Sequence, residues 1–167
     1  KHKHQESQEK FRLLLESTPD GLVIINKEGI IEVVNNQMET LFGYKRKELI
    51  GQKIEILMPE KVKTVHTSNR TTFFKKPKAR KMGKRNTPLY GKTKSNDIFP
   101  IDISLSPVVF NNKTLVIAAI RNITKQKEIE AALKQKTTEL TKMITTIQEA
   151  QEQIISSIYI GQENERT

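Results

Sequence analysis

Few residues of this chain have side chains that commonly carry out chemistry. None of its 167 residues is Cys, so disulfides, a thiolate nucleophile and a Cys-ligated metal centre are excluded. His66 is the only His apart from His2 and His4 at the start of the chain, where we expect no metal site. The carboxylates form no evident catalytic pair, and the sequence contains no phosphate-binding loop, H-E-x-x-H or G-x-S-x-G motif. These observations predict that the chain itself is not an enzyme.

Most of the positive charge lies in one stretch. Of the 29 Lys and Arg residues, twelve fall between Lys61 and Lys94, with no Asp or Glu among them, in a chain of net charge +10. Such a stretch can bind an anionic ligand, a membrane surface or nucleic acid. Only Phe73, Phe74 and Tyr90 are available there for base stacking, and no nucleic-acid-binding motif accompanies them. We therefore interpret residues 61–94 as a solvated surface, with an anion- or nucleic-acid-binding module as the alternative.

The apolar pattern predicts the elements of one domain with an appended helix, for which 167 residues suffice. Phe11, Leu14 and Leu15, at i, i+3 and i+4, predict a short amphipathic helix. β-branched residues around an Asn-Lys-Glu-Gly turn predict a hairpin over residues 22–34. Further on, the sequence predicts short helices up to Ile50, a helix from Pro59 towards Phe74, and strands at 98–105 and 115–120. Strands at both ends with helices between them predict an α+β fold, an antiparallel sheet with helices on one face.

The segment after Thr124 has a different pattern, because it contains no Pro or Gly before Gly161 and its apolar residues recur in heptads. The a positions are Leu133, Leu140, Ile147 and Ile154, and the d positions are Ile129, Lys136, Met143, Ala150 and Ser157. The polar residues in the d row predict a weak and switchable helix pair. Ile158 follows Ile154 by four residues, which predicts a phase slip near the end.

We predict that this segment forms a parallel coiled coil between two copies of the chain. The contacts expected along its seam are Leu133, Leu140, Met143, Ile147 and Ile154. The N-terminal helix is expected to join the interface through Phe11, Leu14 and Leu15. The alternative is one long amphipathic helix folded back on the domain.

Residues 11–124 resemble a PAS domain. The matching stretches are ESTPDGLVIINKEGIIEVVNN, LFGYKRKELIGQKIEILMPE, IFPIDISLSPV and IAAIRNITKQKEIE. The resemblance implies a five-stranded antiparallel sheet with short helices around a ligand-sized pocket. PAS domains sense small molecules, gases, redox state or light, or they dimerise. The expected organisation is an N-terminal helix over 1–18, a PAS sensory domain over 19–123 and a signalling helix over 124–167.

The last eight residues, IGQENERT, resemble the helix that leads into the phosphoacceptor segment of one class of bacterial sensor histidine kinases. In that class an E-x-E-R stretch precedes the phosphorylated His. The resemblance implies a cytoplasmic two-component sensor whose kinase region follows in the same chain and whose further partner is a response regulator. We expect a homodimer that takes a small-molecule ligand, without a nucleic-acid partner and without a membrane span in this part of the protein.

The junction between sheet and signalling helix is the place where the resemblance implies signal transfer. A D-x-T motif often closes the last strand of a PAS domain and caps its output helix, and here the motif reads Asn122-Ile123-Thr124. Compared with the Asp of that motif, Asn122 retains the acceptor oxygen that a cap requires but lacks the negative charge. Asn122 and Thr124 are therefore the candidate signalling residues, and two ordinary cap residues are the alternative.

Haem is the cofactor alternative that the resemblance implies. Flavin-binding light sensors of this superfamily use a reactive Cys, which is absent here. In haem-binding PAS domains of oxygen sensors the axial His lies on the helix after a Met-Pro motif, and His66 follows Met58-Pro59 at the corresponding spacing. An Arg on the following strand contacts the gas in those sensors, a role for which Arg85 is the candidate. The alternative function is thus a haem-based gas or redox sensor. The competing interpretation is that His66 binds no cofactor and is simply packed or exposed.

Overall fold

The computed structural model describes residues 1–83 and 87–166. Its strands are β1 Gly21–Ile25, β2 Ile31–Val34, β3 Arg80–Lys81, β4 Leu89–Lys92, β5 Ile98–Phe110 and β6 Lys113–Asn122. They form one antiparallel sheet in the order β2-β1-β6-β5-β3, and β4 also pairs with β5. The sheet therefore has six strands instead of the expected five. The additional strand is β3, a two-residue edge strand whose adjacent cations show no alternation of apolar and polar residues.

The helices lie close to the predicted segments. They are α1 His2–Glu16, α2 Asn36–Phe42, α3 Arg46–Leu49, a 3₁₀ turn Ile54–Leu57, α4 Glu60–Lys75 and α5 Thr124–Asn164. Asn35 caps α2 by accepting a hydrogen bond from Met38 N at 3.2 Å. Gly43 ends α2 with φ +75°, a conformation that strongly favours glycine.

The core lies between one face of the sheet and the helices α2 and α3. Its sheet residues include Val23, Ile101, Ile103, Val116 and Ile120, and its other members include Met38, Phe42, Leu49 and Leu57. Phe42 contacts Phe99 with ring centroids 5.3 Å apart. The alternation of buried and half-buried residues along the start of β5 follows from the two-residue period of a strand that covers a core on one face.

The described chain divides into two compact units, residues 1–124 and residues 125–167. The first contains the sheet with α1 to α4, and the second contains nearly all of α5. No residue of α5 is buried. Nowhere in the ranges 1–83 and 87–166 does a helix have the length and apolar character needed to span a membrane.

Candidate functional site

A cluster of three ionisable side chains joins α4 to the 3₁₀ turn that precedes it. The Glu55 carboxylate accepts a hydrogen bond from Arg70 Nε at 3.0 Å, and His66 Nδ1 lies 3.0 Å from the same Oε1 atom. Glu55 and Arg70 are almost fully buried, with 7% and 8% of their surfaces exposed. His66 and Arg70 are four residues apart, so one face of α4 brings both to Glu55.

Arg70 also connects α4 to the β1–β2 turn. Its Nη1 atom donates a hydrogen bond to the Lys27 carbonyl at 3.1 Å. The guanidinium passes so close to Gly29 that a Cβ atom there would lie 2.5 Å from Arg70 Cζ. Gly29 has φ +80°, which also disfavours any residue with a side chain. The turn therefore requires glycine for its backbone conformation and for the passage of Arg70.

The environment of Glu55 keeps its carboxylate charged. Burial by itself raises the pKa of Glu55, but hydrogen bonds from His66, from its own backbone N–H and from Arg70 outweigh burial and lower the pKa below its ordinary value. Among the described residues, the Oε2 atom is buried without a hydrogen-bond partner. A charged carboxylate at this position therefore depends on Arg70 and His66.

A cleft of about 610 Å³ borders the cluster along α4. Its lining consists of polar side chains, namely Lys53, Glu55, Lys63, Thr64, Thr67, Ser68, Arg70 and Thr71, without His66. A carboxylate at Nδ1 is a common second contact of a metal-ligating His, and it leaves Nε2 free to bind iron. A haem also needs predominantly apolar walls next to that nitrogen. The polar cleft does not supply such walls and His66 does not line it, so the cleft is not the place where a haem bound through His66 would lie.

The junction residues Asn122 and Thr124 bond to each other. Asn122 Oδ1 accepts hydrogen bonds from Thr124 N at 2.9 Å and from Thr124 Oγ1 at 2.6 Å. Between them, Ile123 N donates to the Pro100 carbonyl of β5 at 3.1 Å. The first residue of α5 is therefore held by the sheet and by the Asn122 side chain.

The neighbouring residue, Arg121, ties the junction to the start of β1. Its guanidinium donates to both carboxylate oxygens of Asp20, at 2.9 and 3.1 Å. The contact with Asp20 raises the pKa of Arg121. This bidentate geometry fixes the direction of both side chains more strongly than a single contact would.

Asn35 links α1, β1 and α2 from the interior. It is fully buried, and its Oδ1 accepts from Leu22 N and Met38 N, at 2.9 and 3.2 Å. Its Nδ2 donates to the carbonyls of Leu15 and Asp20, at 2.9 and 3.0 Å. Asn35 thus anchors the end of α1 next to Asp20, the residue before β1 that pairs with Arg121.

The apolar residues predicted for the dimer interface are largely exposed in the single chain. Phe11 and Leu14 of α1 are exposed, while Leu15 is partly buried. On α5 the exposed residues are Leu133, Leu140, Met143, Ile147 and Ile154. Arg85, the predicted gas contact, lies outside the described residues.

Sequence reasoning missed several polar residues that hold the domain together. They are Glu55, Arg70, Asp20 and Arg121, together with the inward contacts of Asn35. One signal was available for the first of them. Glu55 interrupts the apolar run Ile54–Leu57, and a carboxylate surrounded by apolar residues requires a partner cation.

Comparison with known proteins finds a matching family and several similar proteins. A family profile described as PAS domain matches residues 19–125. The sensor protein FixL of Bradyrhizobium diazoefficiens is 29% identical over 132 residues, which cover 78% of this chain and 26% of FixL. The oxygen sensor protein DosP of Escherichia coli K12 is 29% identical over 126 residues, 75% of this chain and 15% of DosP. The chain thus spans about a quarter of FixL and less of DosP.

A solved structure has the same fold. The PAS domain of an HTR-like protein from Haloarcula marismortui superimposes with a TM-score of 0.60 at 17% identity, covering 73% of this chain and 96% of that domain. At this identity the likeness shows the fold alone. With a family match over most of its length, the chain belongs to the PAS domain family.

Proposed function

We propose that this chain is the sensory and dimerisation module of a cytoplasmic, signal-transducing histidine kinase. One observation carries the proposal. The last strand of the sheet continues through Asn122 and Thr124 into α5, whose heptad stripe of apolar side chains is exposed in the single chain. A 41-residue helix with such a stripe is stabilised when the stripe packs against a second helix.

The proposed partner is a second copy of the chain, aligned in parallel. A signal in the PAS domain then shifts the populations of two packings of the helix pair, without chemistry in the domain itself. The Asn122–Thr124 contacts transmit the shift, because they fix the first residue of α5 to the sheet. The kinase region in the same protein and a response regulator would receive it.

FixL and DosP support a sensory role, since both relatives are named as sensors. The ligand class proposed for this chain is a small molecule. The chain itself is proposed to have no catalytic activity, and any kinase activity belongs to the region beyond it.

Single cysteines can report the direction and register of the helix pair, because the chain contains no Cys of its own. We expect Leu133→Cys and Ile154→Cys to form disulfide-linked dimers on mild oxidation. Both are a positions, and only a parallel pair in register brings each of them next to its own copy. The control is Thr145→Cys, an exposed f position on the opposite side of the helix. Its crosslinking should be about tenfold slower, since a disulfide requires Cα atoms within about 7 Å.

Three results would contradict this arrangement. Crosslinking of only one of the two a-position variants would indicate an antiparallel pair centred near that residue. Crosslinking of neither would indicate a shifted pair or no pair. Equal rates for Thr145→Cys and the a-position variants would indicate random collisions.

Haem sensing, the second candidate, is favoured by the spacing of His66 after Met58-Pro59, whereas the contact of His66 Nδ1 with buried Glu55 favours a structural role for this side chain. We expect the purified protein, mixed with haem, to show no Soret band that changes in His66→Ala. His66 is engaged by Glu55, so its replacement should alter stability rather than absorption. A sharp Soret band present in the original protein and lost in His66→Ala would restore the haem-sensor interpretation.

A further inference from the structure

The basic run, residues 75–81, is a concentrated and unneutralised part of the positive stretch. It contains five cations in seven residues, Lys75, Lys76, Lys78, Arg80 and Lys81, and all five are exposed. Within residues 1–83 and 87–166, none of the five forms an ion pair. Their charge therefore faces solvent without compensation.

Other cations of the same stretch are already used inside the domain. Lys63 pairs with Glu60 at 2.5 Å, and Lys94 pairs with Glu48 at 2.5 Å. Arg70 is buried against Glu55. Lys63, Arg70 and Lys94 thus have carboxylate partners within the domain, whereas the cations of the basic run have none among the described residues.

The position of the basic run gives it a defined shape. It begins at the last residue of α4 and ends in β3, where Arg80 pairs with Leu105 and Lys81 with Ser104 of β5. Arg80 also lies over the Phe73 ring, 5.3 Å from its centroid. Part of the run is therefore held along the edge of the sheet instead of being a free tail.

We propose that the basic run binds the phosphate backbone of nucleic acid without sequence preference. A nucleic-acid strand presents one charge every few ångströms, which matches five cations within seven residues. Anchoring to a membrane surface generally needs an inserted apolar group as well as a basic patch. Phe73 and Phe74, the nearest aromatic residues, pack against the core, so they are available neither for insertion nor for base stacking.

This inference differs from the expectation drawn from sequence, in which the lack of stacking aromatics argued against a nucleic-acid partner. Contacts to the phosphate backbone do not need aromatic stacking, because exposed cations without carboxylate partners can make them. Binding of this kind is independent of the proposed signalling role of α5.

The test is fluorescence anisotropy with a labelled 20-nucleotide single strand and a duplex of the same sequence. We expect a dissociation constant of about 10 μM at low salt, typical of contacts to the backbone alone. With five phosphate contacts, the logarithm of affinity should fall against the logarithm of salt with a slope of about −3.5 for the single strand. The chain with all five cations of the basic run changed to Gln should bind at least about tenfold more weakly.

The matched control changes five other exposed lysines to Gln, namely Lys3, Lys27, Lys47, Lys113 and Lys125. It has the same net charge as the basic-run variant, and we expect it to bind within about twofold of the original protein. Circular dichroism melting curves establish that both variants are folded. Equal weakening in both variants, or no binding by the original protein, would overturn the proposal and leave the charges to protect the β3 edge from pairing. Preferential binding to phosphatidylserine vesicles over both probes would overturn it in favour of a membrane surface.

Discussion

Replacing Arg70 with Met is expected to lower the free energy of unfolding by about 3 kcal/mol, the usual cost of removing one partner from a buried ion pair. Met retains much of the length of the side chain but donates no hydrogen bonds. The Glu55 carboxylate would then lie buried without its guanidinium partner, and the Lys27 carbonyl would lose its donor. Denaturant unfolding followed by circular dichroism measures the change.

The control for this variant is Lys94→Met. Lys94 pairs with Glu48 at 2.5 Å, but both side chains are substantially exposed. An exposed pair is screened by solvent and contributes little to stability, so this substitution should be nearly neutral. Similar losses from both substitutions would mean that Glu55 and Arg70 are hydrated in solution. Glu55→Gln in the Arg70→Met background should recover part of the loss, because it removes the uncompensated charge.

Replacing Leu140 and Ile147 together with Ser is expected to convert the proposed dimer into monomers. Each buried Leu or Ile side chain contributes about 1.5–3 kcal/mol, and the two substitutions remove four such side chains from a dimer. The dissociation constant should therefore rise by at least about a thousandfold. Sedimentation velocity measures the change, and near-unchanged sheet signals in circular dichroism would establish that the PAS domain remains folded.

The matched control is Ile155→Ser with Tyr159→Ser. These residues are also large, apolar and exposed, but they lie off the heptad seam on either side of the phase slip. We expect this variant to remain dimeric. Dimers that persist after the Leu140 and Ile147 substitutions would mean that α1 or the sheet forms the main contact.

Local sequence patterns predicted the helices and strands whose formation depends on residues close together in the sequence. The β1–β2 hairpin follows from β-branched residues around a glycine turn, and the start and end of α2 follow from Asn35 and Gly43. The first helix was predicted from its apolar residues, and α1 spans His2–Glu16. The PAS fold is confirmed as well.

The polar contacts between distant segments could not be predicted in the same way. Arg121 meets Asp20 only because β6 lies beside β1, and Arg70 meets Lys27 only because α4 crosses the hairpin turn. Neither contact produces a periodic pattern in the sequence from which it could be predicted. The strand β3 could not be predicted from the sequence for a related reason. Arg80 and Lys81 form a strand because they pair with β5, although their composition does not favour one.

The position of β6 in the middle of the sheet determines when the domain can fold during its synthesis. Its neighbour β1 is made first, but Gly21 pairs with Ile120 and Ile25 with Val116, so β1 waits for almost the whole domain to leave the ribosome. Folding dominated by such distant pairing is slow compared with folding through local contacts. The hairpin of β1 and β2 must remain soluble in the meantime with an apolar edge exposed. Completion of the sheet then coincides with the appearance of α5, so this helix emerges from a domain that has only just acquired its central strand.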